Sequence, residues 1–349
     1  MKLPYILSII CACLMLGACS GAKQQSRLRI GFAMDTLKEE RWQRDHDAFE
    51  AACKKADVDC VITVADNKAD KQANDVDNLL TQGIDVLVIA PHNATQAASM
   101  VDKAKAQGVP VISYDRLINS DKIDVYISHQ VPVLGRKIAE YAIQHVPKGN
   151  YVVVDGASSD NNAVIMKNEY QKVLRPAIDK GDIKIVAEDF MEDWKPELAL
   201  NFADNALTQN NDNVQAFVVS NDGMAGGVVA ALTAQGLAGQ VPVSGQDGDK
   251  AALNRVALGS QTVSVWKDSR LLGRSAGEAA LELGKGIKLD KVKGVVKFGN
   301  GPKKVEMTSI LLNPEPITKD NLKVVIDAGW ITKDEVCKGV KPGTVKACG

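Results

Sequence analysis

The chain has 349 residues, and its 42 basic and 43 acidic side chains leave a formal net charge of −1. That balance offers no basic excess for nucleic acid, and the length suggests two domains of roughly 150 residues each. Residues 1–18 have the pattern of a secretory leader rather than of folded structure: Lys2 gives a positive start and Ile6–Leu16 an apolar stretch too short to span a bilayer.

Leu16-Gly17-Ala18-Cys19 resembles the bacterial lipobox, which implies cleavage before Cys19, lipid on that residue and a short tether over 19–26. The mature protein would then be anchored to a membrane without spanning it. Loss of Lys2 takes the basic count from 42 to 41 against 43 acidic residues, a net −2. Cys53, Cys60, Cys337 and Cys348 remain, an even number in an exported protein. They allow three connectivities, of which Cys53–Cys60 with Cys337–Cys348 needs the least rearrangement of the chain. No Cys or His spacing suggests a zinc site, and nothing suggests a cofactor.

The body opens on Arg29–Trp42. Ile30–Met34 is a short apolar run, as expected of a strand covered on both faces. It stops at Asp35, and a helix is expected from about Glu40. Strands then follow at Val58–Ala65, Asp85–Ala90, Val109–Tyr114 and Asp124–Ser128, separated by helices at Ala69–Gln82 and Ala94–Gln107. A second series runs through helix Val133–His145, strand Tyr151–Asp155, helix Asn162–Lys180, strand Ile183–Phe190 and helix Pro196–Gln209. It continues with strand Val214–Ser220, helix Met224–Gln235, strand Val241–Gly245, helix Lys250–Leu258 and strand Gln261–Val265. Helix Ser269–Gly284 and strands near Val292–Phe298 and Val305–Leu312 close the pattern.

Such alternation implies right-handed βαβ units, and the expected fold is α/β: two doubly wound parallel-sheet lobes joined by three crossovers. With crossings near Ser128, Lys267 and Ser309, the first lobe takes residues 27–128 and 267–308. The second takes 129–266 and 309–340, and 341–349 forms a C-terminal tail.

Ligand contacts in such sheets lie beyond the strand C-termini, and polar groups gather there. The first half offers Asp35 to Trp42, Pro91-His92-Asn93 and Asp115-Arg116; the second offers Asp160-Asn161-Asn162, Trp194, Asn221-Asp222 and Gln246-Asp247. Asp and Asn also favour turns and helix N-caps, a role open to Asp160 and Asp222. Asp accepts, Arg donates two hydrogen bonds in fixed directions and Asn does one of each, which suits vicinal hydroxyls. Trp42 and Trp194 offer flat faces for the C–H patches of a sugar ring. No G-x-G-x-x-G or Walker sequence prepares a phosphate site. Asp115 and Asp247 are open to reading as a hydrolase pair, but paired carboxylates occur equally in passive sugar sites. The four histidines accompany no nucleophile motif, so no enzyme is expected.

The segments DTLKEERWQRD, IDVLVIAPHN, SYDRLI, DNNA, SNDGMAGG, LTAQGL, SGQDGD and QTVSVWK resemble, in order, motifs of the bacterial periplasmic sugar-binding proteins of ABC transporters, of the ribose/galactose-binding type. The resemblance covers residues 28–335 and is strongest to the D-xylose-binding branch. It implies the type I periplasmic binding protein fold and a monosaccharide held by Arg41, Trp42, Asp115, Arg116, Asn162, Trp194, Asn221, Asp247 and Lys267, with Asp35, Asn93 and Asp160 as more distant matches. It further implies ABC permease subunits as partners, a periplasmic or cell-envelope location and a monomer. The alternative within the same resemblance is a sensor presenting its sugar-bound form to a membrane kinase or chemoreceptor. The chain departs from the family at His129-Gln130-Val131-Pro132, where an acidic-Asn pair is usual, and in its cysteine pairs and lipobox.

Overall fold

The computed structural model describes residues 27–299 and 306–349; the expected leader, the Cys19 anchor and the tether up to residue 26 lie outside them. The chain begins β1 Arg29–Met34, α1 Glu40–Ala56, β2 Asp59–Val64, α2 Ala69–Thr81, β3 Val86–Ile89, α3 Ala97–Ala106, β4 Val111–Tyr114 and β5 Val125–His129. It continues α4 Val131–His145, β6 Gly149–Asp155, α5 Asn161–Asp179, β7 Ile183–Phe190, α6 Pro196–Gln209, β8 Ala216–Val219, α7 Asp222–Ala234, β9 Gln246–Asp247, α8 Lys250–Leu258 and β10 Ser264–Trp266. The last elements are α9 Ser269–Gly284, β11 Val296–Phe298, β12 Met307–Leu312, β13 Glu315–Ile317, α10 Lys323–Asp327 and α11 Lys333–Val336.

The first sheet has seven strands in the order β11-β12-β5-β4-β3-β1-β2, all parallel except β11 against β12. Its two-residue side-chain period divides β1 between two cores. Ile30, Phe32 and Met34 pack with α1 and α9, whereas Ala33 joins the cluster of α2 and α3. Helices α1 and α9 approach closely because Gly273 lacks a side chain: a Cβ there would lie 2.5 Å from the Asp45 carbonyl oxygen. This contact seats the helix that carries Arg41.

The second half departs from a single doubly wound sheet. It forms two three-stranded sheets, β7-β6-β8 and β13-β10-β9, linked by one parallel bridge between Phe217 and Val243. The strand expected over Val241–Gly245 is therefore reduced to isolated bridges, and regular pairing begins only at Gln246. Pro242, lacking an N–H, and Gly245 both weaken a ladder at this point.

The boundary expected between 308 and 309 falls inside β12, which pairs with β5 through Leu312↔His129. The chain thus leaves the first sheet after Leu312, and after His129 on the earlier passage, and it returns at Lys267-Asp268 between β10 and α9. Residues 341–349 are not a free tail. Cys348 is bonded to Cys337, and Val345 is buried with Trp330 and Val336. The other disulfide joins Cys53 of α1 to Cys60 of β2.

Candidate functional site

Between the strand ends of the two halves lies a cleft lined by Arg41, Trp42, Asp115, Arg116, Asp160, Asn162, Trp194, Asn221, Asp247 and Lys267, together with Glu39 and Gln246. Ten of the twelve expected residues thus meet at one place; Asp35 stands behind them and Asn93 lies elsewhere.

The first half supplies the cations. Arg41 and Trp42 occupy the first turn of α1 and are almost fully buried. Arg41 is held from behind by Asp45 four residues on (Nε–Oδ2 3.0 Å) and reaches Asp115 in front (2.8 Å). Burial pushes the Asp45 carboxyl up to about 6 despite Arg41, and Tyr114 donates its hydroxyl to it. Asp115 follows β4 with a left-handed φ of 54°, and its carbonyl accepts from the Ser128 hydroxyl (2.7 Å) and the Asn162 amide (3.1 Å). Burial alone would raise its carboxyl, but Arg41 and Lys267 overcome that and hold it well below the usual carboxylate range. Lys267, on the crossing segment, lies 3.1 Å from Asp115 and 3.6 Å from Asp247.

Arg116 forms a second node. It bonds Asp35 (2.6 Å) on one side and Asp160 (2.9 Å) on the other. Asp35 is shared with His92 at 3.0 Å; burial raises its carboxyl, yet His92 and Arg116 bring it below its ordinary value. Asp160 is both a cap and an ion partner: its Oδ1 accepts from the Asn162 N–H that opens α5. Asp35 therefore serves the site by holding Arg116, at the edge of a small adjoining pocket with His92 and Asp193.

In the second half the roles of Asn221 and Asp222 are opposite to a simple capping assignment. Asn221 caps α7 through its Oδ1, leaving its amide nitrogen for the cleft. Asp222 instead turns inward, accepting from Gly248 N (2.9 Å), Asp249 N (3.0 Å), the Ser264 hydroxyl (2.5 Å) and Gln261 Nε2 (2.7 Å). It thereby shapes the turn that carries Asp247, whose φ is 105°.

Trp194 follows a left-handed Asp193 and is itself left-handed. Its ring packs where a Cβ on Gly156 would come within 2.2 Å, and it belongs to the hydrophobic core of the second half as well as to the cleft wall. The guanidinium carbons of Arg41 and Arg116 stand 4.4 and 5.2 Å from the Trp42 ring centre, within cation–π range.

Asn93 does not reach the cleft. Its Oδ1 accepts from the N–H groups of Thr95 and Gln96, so it shapes the turn before α3. Glu39 and Gln246 line the cleft besides the expected sugar contacts; both fall in strand-end segments where polar groups were expected to gather, Gln246 beside Asp247 and Glu39 two residues before Arg41. Burial raises the Glu39 carboxyl. His129, at the end of β5, is buried, and burial together with Lys267 and Arg41 holds its imidazole well below its ordinary value.

Among the described residues, Asn162 Oδ1, Trp194 Nε1, Asp247 Oδ1, Gln246 Oε1 and Glu39 Oε2 are buried without a hydrogen-bond partner. Native proteins satisfy nearly all such groups, and here five of them belong to residues of one cleft. A compact molecule that both donates and accepts hydrogen bonds fits this wall.

A family model described as "Periplasmic binding protein domain" matches residues 30–288. The chain is 39% identical over 337 residues to the "D-xylose-binding periplasmic protein" of Escherichia coli K12, covering 96% of this chain and 100% of that one. It is 38% identical to the protein of the same description from Haemophilus influenzae, over 91% of this chain and 94% of that one. Among solved structures, a carbohydrate transporter solute binding protein from Chloroflexus aurantiacus in complex with D-glucose superposes with a TM-score of 0.80 at 28% identity, covering 88% of this chain and 98% of that one. By fold and sequence, this chain belongs to the periplasmic sugar-binding proteins of ABC transport, a non-enzymatic family.

Proposed function

We propose that the protein captures an aldopentose, D-xylose before others, and delivers it to an ABC importer from a lipid anchor at Cys19. The observation that carries the ligand assignment is the set of buried, unpartnered polar atoms in the cleft, one acceptor of which, Asp247 Oδ1, stands 3.8 and 3.6 Å from the cations Arg41 and Lys267. Ring hydroxyls both donate and accept, so one sugar meets acceptors and cations together. The 38–39% identity to D-xylose-binding periplasmic proteins supports the choice among aldoses. A pentopyranose lacks the exocyclic CH₂OH of a hexose, and a tightly closed cleft favours the sugar without that group.

Capture proceeds by closure of two lobes about the three crossings. Arg116 links Asp35 of the first half to Asp160 of the second, and the Asn161 amide reaches the Leu117 carbonyl across the cleft mouth. These contacts belong to the closed arrangement and would be made as the sugar is enclosed. The sugar lies between the walls carrying Trp42 and Trp194.

Calorimetric titration of the purified protein with D-xylose, D-ribose, L-arabinose and D-glucose tests the ligand. D-Xylose is expected to bind at micromolar concentration or tighter; tighter binding of glucose or ribose overturns the assignment. Mass spectrometry of the mature protein tests the anchor: a diacyl or triacyl Cys19 is expected, and an unmodified N-terminus at another residue overturns it.

A further inference from the structure

The turn that presents Asp247 is held through both backbone polar groups of one residue, Gly248. The Gly248 N–H donates to Asp222, while the Gly248 carbonyl accepts from the indole N–H of Trp330 at 2.5 Å. Trp330 lies far along the chain, between α10 and α11, is 3% exposed and packs edge-on against Trp266, the residue that pairs with Asp247 in the β9–β10 register.

The opposite contacts of Trp330 come from the other half of the molecule. The Arg44 guanidinium stands 3.8 Å from its ring centre and donates to its carbonyl at 2.9 Å; that of Arg270 stands 5.1 Å away. Both arginines belong to α1 and α9, the helices packed on the first sheet, and Arg44 is three residues from Arg41. One side chain therefore connects the helix bearing Arg41 with the turn bearing Asp247.

We propose that Trp330 is a positioning residue for sugar capture: it fixes the Asp247 turn through the Gly248 carbonyl and couples that turn to the first half through the arginines on its ring. A closing motion that brings α1 toward Trp330 thereby sets Asp247 against the ligand at the same time as Arg41. The inference rests on Asp247 being a sugar contact, as proposed above.

A double-mutant cycle in the full mature protein tests it, with the aldopentose that binds the wild type most tightly, D-xylose being expected. Trp330→Phe keeps a smaller ring for the arginines and removes the indole donor. It should weaken binding by about fivefold, the worth of one hydrogen bond, in the wild-type background and by less than twofold in the Asp247→Ala background. A role confined to general packing would give the same loss in both backgrounds, and that result, or unchanged affinity in Trp330→Phe, overturns the proposal. Should Trp330→Phe fail to fold, Arg44→Gln carries the same cycle with an expected loss of about threefold. Unchanged affinity in Asp247→Ala alone, or no aldopentose binding by the wild type, overturns the underlying reading and this inference with it. Loss in Asp247→Ala without loss in Trp330→Phe overturns this inference only.

Discussion

The two arginine nodes of the cleft use the same residue types for different ends. The two carboxylates that Arg116 bonds are both engaged a second time: Asp35 with His92, and Asp160 with the helix N-terminus it caps. Around Arg41 the acids are shared unevenly. Asp115 takes both Arg41 and Lys267 at hydrogen-bonding distance, whereas the nearest Asp247 oxygen stands 3.8 and 3.6 Å from the same cations, too far for a good hydrogen bond. The first node is a finished ion bridge between the halves. The second keeps an acceptor in reserve, and on that difference rests our proposal of Asp247 as the stronger ligand contact and Arg116 as the stronger closing contact.

Asp115→Ala should break this pattern most severely. It leaves Arg41 and Lys267 buried at close quarters without their common carboxylate, and losing one partner of a buried pair costs about 3–5 kcal/mol. Chemical denaturation is expected to show a marked drop in midpoint; a midpoint within error of wild type would mean that Asp45 and Asp247 neutralise the cations unaided.

Asp247→Ala is expected to separate affinity from stability. Removing an acceptor that makes no close protein bond should weaken sugar binding by roughly tenfold or more, about 1.4 kcal/mol, at an unchanged melting temperature. Calorimetry and thermal unfolding on the same preparation check both halves of that expectation.

The third outcome concerns pH. Burial pushes the Asp222 carboxyl up to about 7, helped by the nearby Asp247 and opposed by Ser264, Gln261 and Arg255; Asp249 faces the same group and is raised as well, first by burial. A raised carboxyl binds its proton more tightly folded than unfolded. Stability from this group is therefore greatest below about 4 and is lost as the pH rises toward 7. Relative to Asp222→Asn, the wild type should become progressively less stable between pH 4.5 and 7.5, by on the order of 1 kcal/mol or more. A constant difference across that range would show that Asp222 stays ionised throughout.

Asn93→Ala should give the smallest effect. The side chain shapes a turn outside the cleft, so a loss of about 1 kcal/mol or less in stability is expected, with sugar affinity unchanged. A clear loss of affinity would restore Asn93 to the site.

Much of this was legible in the residues because burial on both faces of a parallel sheet leaves a distinctive run, as in Ile30–Met34 and Val86–Ile89. Strand-end turns could be placed once the runs were known, and nearly all the expected contacts converge. Asn and Asp hid their division of labour: Asn221 caps a helix, Asp222 holds a neighbouring turn and Asp160 does two jobs, all from residue types that look alike in a turn. Trp194 reads as a cleft wall, yet it is also packed into the core over Gly156. Its truncation therefore costs core packing as well as ligand contact.

The sequence by itself determined the α/β alternation, the two-part organisation and the convergence of Arg41, Asp115, Asn162 and Asp247, because local hydrophobic period and strand-end polarity are properties of short segments. Only the tertiary structure decided that β12 stays in the first sheet to Leu312, that the second half splits at Val241–Gly245, and that residues after 312 fold back as β13, α10 and α11. It alone set Trp330 between Arg44 and Gly248, 286 and 82 residues away. Such contacts depend on how whole elements pack, and no local pattern encodes a partner so distant in the chain.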